Sequence, residues 1–274
     1  MINASKVCGI LMFSALIISP NISAQKMTQC DTSTCVNYFE QYRKAAKRGH
    51  TQAMATLGQM YYHAYGTEKN EKLALKFLKK ASRSKDAAAQ FKAGYIYLTS
   101  EEYKDIDDGI EYLEKAADNE FKGANFVLGM VHLDKKYGRQ DIKQADKYLA
   151  KSYEAKFEQM PEAVQFIETT MTLDAATFPK LFAEMQKKPL QKDDDGSINW
   201  PTGNIEIITI SSPSLETTFD QQLLVFRKPI KSVGTRFHGK NCVQRMTCVS
   251  VGIADGSAFA NTFLNTFSGA NVSN

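Results

Sequence analysis

The chain has 274 residues, with 34 Lys and Arg against 30 Asp and Glu and a formal net charge of +4. The two signs are interspersed without a block of five like charges, which argues against general nucleic-acid binding. The length accommodates two domains.

The N-terminus reads as a secretory leader. Lys6 supplies a positive start, Val7 to Ile18 is a nearly unbroken apolar run, Pro20 breaks it, and Ile22-Ser23-Ala24 has a small-x-small ending. An apolar run of about a dozen residues is too short to cross ~30 Å of hydrocarbon as a helix. Cleavage is expected after about Ala24, placing the mature chain in the periplasm or outside the cell with no membrane span. Four cysteines survive cleavage: Cys30, Cys35, Cys242 and Cys248. An even count in an oxidising compartment suggests disulfides. Three connectivities exist, and the sequence-local one, Cys30–Cys35 with Cys242–Cys248, is the expected one. Each would clip a short loop and contribute about 2 kcal/mol. Neither spacing matches a Cys-x2-Cys zinc knuckle, so no metal is expected.

Next along the chain comes a repeat. Gly58, Gly94 and Gly129 close three similar segments, and a second marker recurs in parallel at Lys44-Ala45-Ala46, Lys80-Ala81-Ser82, Lys115-Ala116-Ala117 and Lys151-Ser152-Tyr153. Tyr61, Tyr97 and His132 stand three residues after the glycines. Each period predicts two helices with one apolar stripe apiece, as in Ala53, Leu57 and Tyr61 followed by Leu73, Phe77 and Ala81. Gly58, Gly94, Gly129, Ala81 and Ala116 let helix backbones approach, and Tyr61 and Tyr97 fill the groove between them. Gly66 and Gly138 mark turns inside repeats one and three, whereas the middle repeat has Ser100-Glu101-Glu102 there. A half-repeat (Val36 to Arg48) precedes, and degenerate helices (Pro161 to Met171, Thr177 to Lys188) follow as caps. No single pair of such helices buries its own stripe, so the repeats must stack into a right-handed α-solenoid.

At these residues the chain resembles the Sel-one-like repeat family, relatives of the tetratricopeptide repeats. Ala53, Leu57, Gly58, Tyr61, Gly66, Ala74, Lys80 and Ala81 satisfy its pattern in the first repeat, and Leu128, Gly129, Gly138, Ala145 and Lys151 in the third. The middle repeat departs, with Ala93 for Leu and Gly109 for Ala. The resemblance implies a scaffold for protein–protein or protein–peptide binding and no cofactor. Some cysteine-rich members of the family imply the alternative, an envelope enzyme acting on peptidoglycan or a β-lactam. Those place a disulfide in each repeat, and this chain has no cysteine inside any repeat.

Composition changes after Lys188. Residues 189–200 read as a polar linker around Asp193-Asp194-Asp195-Gly196, and 201–274 as a small α+β module clipped by Cys242–Cys248. Within it Ile205 to Ile210, Leu223 to Arg227 and Cys248 to Ala254 suggest strands, and Phe259, Phe263 and Phe267 a closing helix. A calcium loop is not supported, because Gln191 and Thr202 fall where carboxylates are required. Gly234, Arg236, His238, Gly239 and Lys240 form a basic loop able to grip an anion. No His-x3-His, His-Glu-x-x-His or Gly-x-Ser-x-Gly occurs, so no catalytic residue is assigned. Binding must then come from surface. First helices of stacked pairs line the concave side, where Gln59, Tyr62, His63 and Tyr95 lie off the packing stripe. Tyrosine offers contact area with little rotamer entropy to lose.

Overall fold

The computed structural model of the chain describes residues 27–193, 196–201 and 213–227. The expected leader, the strands at 205–210 and 248–254, the helix with Phe259, Phe263 and Phe267, the basic loop at 234–240 and the Cys242–Cys248 pair lie outside the described residues.

The half-repeat is α1 (Ser33–Lys47), and three helix pairs follow. They are α2 (Thr51–His63) with α3 (Glu71–Ser82), α4 (Ala87–Thr99) with α5 (Ile106–Asp118), and α6 (Lys122–Leu133) with α7 (Ile142–Glu154). The second helix of every pair starts the same way. Asn70, Asp105 and Asp141 each turn a side-chain oxygen onto a backbone N–H of the first turn, satisfying a donor that the helix leaves open. The glycines at the end of each motif set how closely the two helices of a pair meet. A Cβ at Gly58 would lie 2.7 Å from Leu78 Cγ, one at Gly129 would lie 2.6 Å from Leu149 Cγ, and one at Gly94 would meet both Leu113 Cγ and the Gly109 carbonyl oxygen at 2.8 Å.

Tyr61, Tyr97 and His132 do the same job in successive layers. Each ring stacks on an aromatic of the second helix: Tyr61 on Phe77 at 5.9 Å, Tyr97 on Tyr112 at 5.8 Å and His132 on Tyr148 at 5.9 Å. His132 therefore fills a tyrosine position as a packed ring. The turns differ as their composition predicts. Gly66 and Gly138 both adopt φ of +67°, a region that side chains disfavour, and at Gly66 a Cβ would also collide with the Cys35 carbonyl oxygen. The middle turn instead uses Ser100, whose hydroxyl donates to Glu71 Oε2 (2.6 Å) and accepts from the Tyr103 N–H (2.9 Å).

α8 (Met160–Thr170) and α9 (Pro179–Lys187) cap the stack, with Pro161 and Pro179 in their first turns. Cys30 and Cys35 form a disulfide at the opposite end, where Cys30 also pairs with the α2–α3 turn through Cys30 N–H to Ala64 O (3.2 Å) and Gly66 N–H to Cys30 O (2.6 Å).

Two expectations are corrected. Residues 189–200 are not a plain linker. Gln191–Lys192 (β1) and Ile198–Asn199 (β2) pair antiparallel, and Trp200 packs on Tyr153 at 4.8 Å while its indole N–H donates to Phe157 O at 3.3 Å. The apolar anchor at the end of the polar stretch ties it to α7. The segment Leu223 to Arg227 is not a strand but the end of a helix, α10 (Leu215–Phe226), capped by Ser214 onto Thr217 N–H. Leu215, Phe219, Leu223 and Phe226 are its buried stripe, spaced at helical period, and they pack against α1. Phe219 contacts Tyr38 and Tyr42, each at 5.1 Å, and these phenols donate to Asp220 (2.9 Å) and Gln222 (2.6 Å). The outcome is an α-solenoid of helix pairs with a two-stranded sheet near its C-terminal end. Among the described residues no helix is long and apolar enough to cross a membrane.

Candidate interaction groove

Four residues were expected to face a partner, and the structure brings three of them together. Tyr62 and His63 end α2, and Tyr95 lies in the middle of α4. At their meeting point is Lys92, which the sequence reading did not single out. Its side chain is buried, at 1% exposure. The ammonium lies 3.0 Å from His63 Nε2, 4.6 Å from the centre of the Tyr62 ring and 5.8 Å from that of Tyr95. Aromatic faces are electron-rich, so a cation held over them recovers part of the hydration it gave up. The signal was present in the sequence. Lys92 is the one charged residue of α4, at the position that Thr56 and Val127 occupy in the neighbouring repeats.

Tyr95 and Gln59 have little surface to offer, at 6% and 5% exposure. This corrects their placement as open side chains. Every residue of α4 from Ala89 to Leu98 is buried. α4 is enclosed along this stretch and has no solvent stripe there, so at Tyr95 being off the packing stripe did not mean being exposed. Gln59 lines neither of the openings described below, while Tyr95 still forms part of the wall of one.

Tyr62 and Lys69 belong to two adjoining openings. One, of about 560 Å³, runs past His63, Ala64 and Gly66 to Asp31 and Val36. The other, of about 880 Å³, is walled by Glu71, Tyr95, Thr99, Ser100, Glu102 and Tyr103. Its charges are set by contact. Glu71 is pushed up by burial, but hydrogen bonds from Lys69 and Ser100 and the Lys69 charge outweigh that and leave it below the ordinary carboxylate range. Lys69 is raised chiefly by its hydrogen bond to Glu71. Burial, then the Glu71 charge, raises Tyr62, which stays a neutral phenol at physiological pH. The groove thus presents a tyrosine face and hydroxyls at Thr99, Ser100 and Tyr103 beside fixed charges of both signs. Aromatic, polar and charged groups side by side are the mix found at protein–protein interfaces.

The Sel1 repeat family pattern matches residues 51–86 and 87–121, which are the pairs α2–α3 and α4–α5 that build this groove. Residues 51–121 are two Sel1 repeats. The chain is also similar to two solved structures. One is a protective antigen of uropathogenic Escherichia coli strains displaying an SLR fold, 18% identical over 56% of this chain and 33% of that one, with a TM-score of 0.48. The other is a Sel1 repeat protein from Oxalobacter formigenes, 21% identical over 56% of this chain and 64% of that one, with a TM-score of 0.45. The chain thus spans a third of the first and under two thirds of the second. No curated protein matches it. Sel1 repeats commonly mediate protein–protein interaction, and their scaffold is typically non-catalytic.

Proposed function

We propose that this chain is an exported Sel1 repeat scaffold that binds a protein or an extended peptide in the groove beside Tyr62 and Tyr95. One observation carries the reading: a groove of about 880 Å³ opens along the two Sel1 repeats, with aromatic, hydroxyl and charged side chains converging on it. Export is supported by the leader-like N-terminus, expected to be removed after about Ala24, and by the Cys30–Cys35 disulfide. On this reading residues 25–188 form the binding unit and residues 201–274 an accessory module, with the protein working in the periplasm or outside the cell.

A photo-crosslinking amino acid placed at Tyr62, and in a second protein at Lys143 on the far helix pair, tests the proposal in envelope extract. A crosslinked polypeptide at position 62 that is absent at 143, and that a Glu102→Lys substitution weakens, supports the groove. Equal crosslinking at both positions would remove the groove as the binding surface.

A further inference from the structure

The outer faces of α3 and α5 carry matching stripes of opposite charge. On α3 the stripe is Lys72, Lys76, Lys79 and Arg83, spaced i, i+4, i+7 and i+11, with Lys80 at its edge. One repeat further on, at equivalent positions of α5, stand Asp107, Glu111, Glu114 and Asp118, with Lys115 in the place of Lys80. All four positions of the stripe invert in sign. Each stripe runs about 16 Å along its helix. The basic one lines a surface groove of about 350 Å³ together with Leu75, Tyr97 and Tyr103.

The two stripes do not neutralise each other inside the chain. Tyr97 stands between the helices, its ring on Tyr112 at 5.8 Å, and Lys79 ends on the Tyr97 hydroxyl at 3.1 Å. Among the described residues no ion pair joins α3 to α5. On the acidic side Asp107 binds Arg139 (2.6 Å), Glu111 binds Lys115, and Glu114 accepts from the Tyr148 hydroxyl (2.8 Å). Each carboxylate keeps further lone pairs for a second cation.

We propose that this face is a self-complementary surface whose occupant is a second copy of the same chain. A two-fold axis running between α3 and α5 and parallel to them lays α3 of one copy on α5 of the other, twice over. Because the stripes occupy equivalent repeat positions, the register follows without adjustment: Lys72 meets Asp107 of the second copy, Lys76 meets Glu111, Lys79 meets Glu114 and Arg83 meets Asp118. Such an isologous contact closes as a dimer. Lys80 and Lys115 stand at the same edge of their stripes, so the two-fold rotation places them on opposite edges of the contact, and Lys115 is already tied to Glu111. The corresponding stripe of α7 (Lys143, Lys147, Ala150, Glu154) is a poorer match for α5, since Ala150 and Glu154 face Glu114 and Asp118. The dimer rests on charge and is therefore weak and sensitive to salt.

Sedimentation velocity of the purified chain tests this with two double variants, Lys76→Glu/Arg83→Glu and Glu111→Lys/Asp118→Lys. The wild-type chain is expected to dimerise at ~50 mM salt, with a dissociation constant that rises about tenfold by ~300 mM. Each variant alone should be monomeric, because two of the four opposed pairs in each half of the contact then carry like charges. An equimolar mixture of the two should restore a dimer. A wild-type monomer at low salt, a dimer indifferent to the reversals, or a mixture that fails to pair would each overturn the proposal. Should either variant lose its helical circular dichroism, the wild-type salt titration decides by itself.

Discussion

Asp146 of α7 caps the helix that begins at Pro179. Its carboxylate is 2% exposed and accepts from the backbone N–H of Leu181 at 2.8 Å and of Lys180 at 3.0 Å. Phe178, at the cap position of α9, has no side chain that could do this. The missing cap is supplied across 35 residues of sequence, at a helix end that favours negative charge. Asp146→Ala should therefore destabilise the chain by about 2–3 kcal/mol, the cost of a buried charge-assisted cap. Asp146→Asn, which keeps one acceptor oxygen, should cost less. Urea unfolding of the two variants gives the ordering, and equal losses would mean that packing rather than capping holds α9.

The glycines of the repeat differ in what they protect. A Cβ at Gly58 meets the Leu78 side chain, which can rotate away, whereas a Cβ at Gly94 meets the Gly109 carbonyl, which cannot move without its helix. Alanine is worth about 1 kcal/mol over glycine in a helix, so the sign depends on the neighbour. Gly94→Ala should be destabilising by about 1–3 kcal/mol, and Gly58→Ala by less. Thermal melts of both variants provide the comparison.

Reducing the Cys30–Cys35 disulfide should act locally. The loop it closes is short, and its loss is expected to cost about 2 kcal/mol. Hydrogen exchange should accelerate at Cys30 and Gly66, whose amides pair across the α2–α3 turn, while α6 and α7 keep their protection. Acceleration throughout the chain would show that the repeats unfold as one unit.

Acid should loosen the contact between α10 and the first repeats. The His50 ring lies tilted against Phe226 at 5.1 Å, and burial, then the Arg48 charge, lowers its pKa from 6.5, with a partial offset from a bond to the Phe226 backbone. The unfolded chain then binds the proton more readily than the folded one. Stability from this site is complete above the unfolded value and is lost as pH falls through 6.5 towards the lower folded value. Melting temperature measured at about pH 7.5 and about pH 5 should drop more in the wild type than in His50→Gln. Identical drops would exclude His50 as the cause.

The parts of this architecture that were legible in the sequence share one property: they repeat at a fixed step. Gly58, Gly94 and Gly129, and the rings at Tyr61, Tyr97 and His132, report layers because each layer solves the same packing problem. The groove was only half legible. Tyr62, His63 and Tyr95 were found as off-stripe aromatics, but Lys92 was passed over, and the burial of Gln59 and Tyr95 was missed. The errors at Lys92 and Tyr95 came from treating α4 as amphipathic when its residues from Ala89 to Leu98 are all buried, and Gln59 is buried likewise on α2. The α10 stripe was misread because its last residues, Leu223 to Phe226, are apolar in succession and look like a strand when taken without Leu215 and Phe219.

Sequence alone determined the helix-pair period and the glycine approaches, because these depend on residues within one or two turns or one repeat of each other. Tertiary structure alone decided three things: that Asp146 caps α9, that α10 returns to α1 through Tyr42 and Gln222, 180 residues apart, and that Lys92 lies beside His63, 29 residues away. Those contacts join side chains with no shared periodicity. Their partners follow only from where the stacked helices place them, since a buried polar group must find its match wherever the fold brings one within reach.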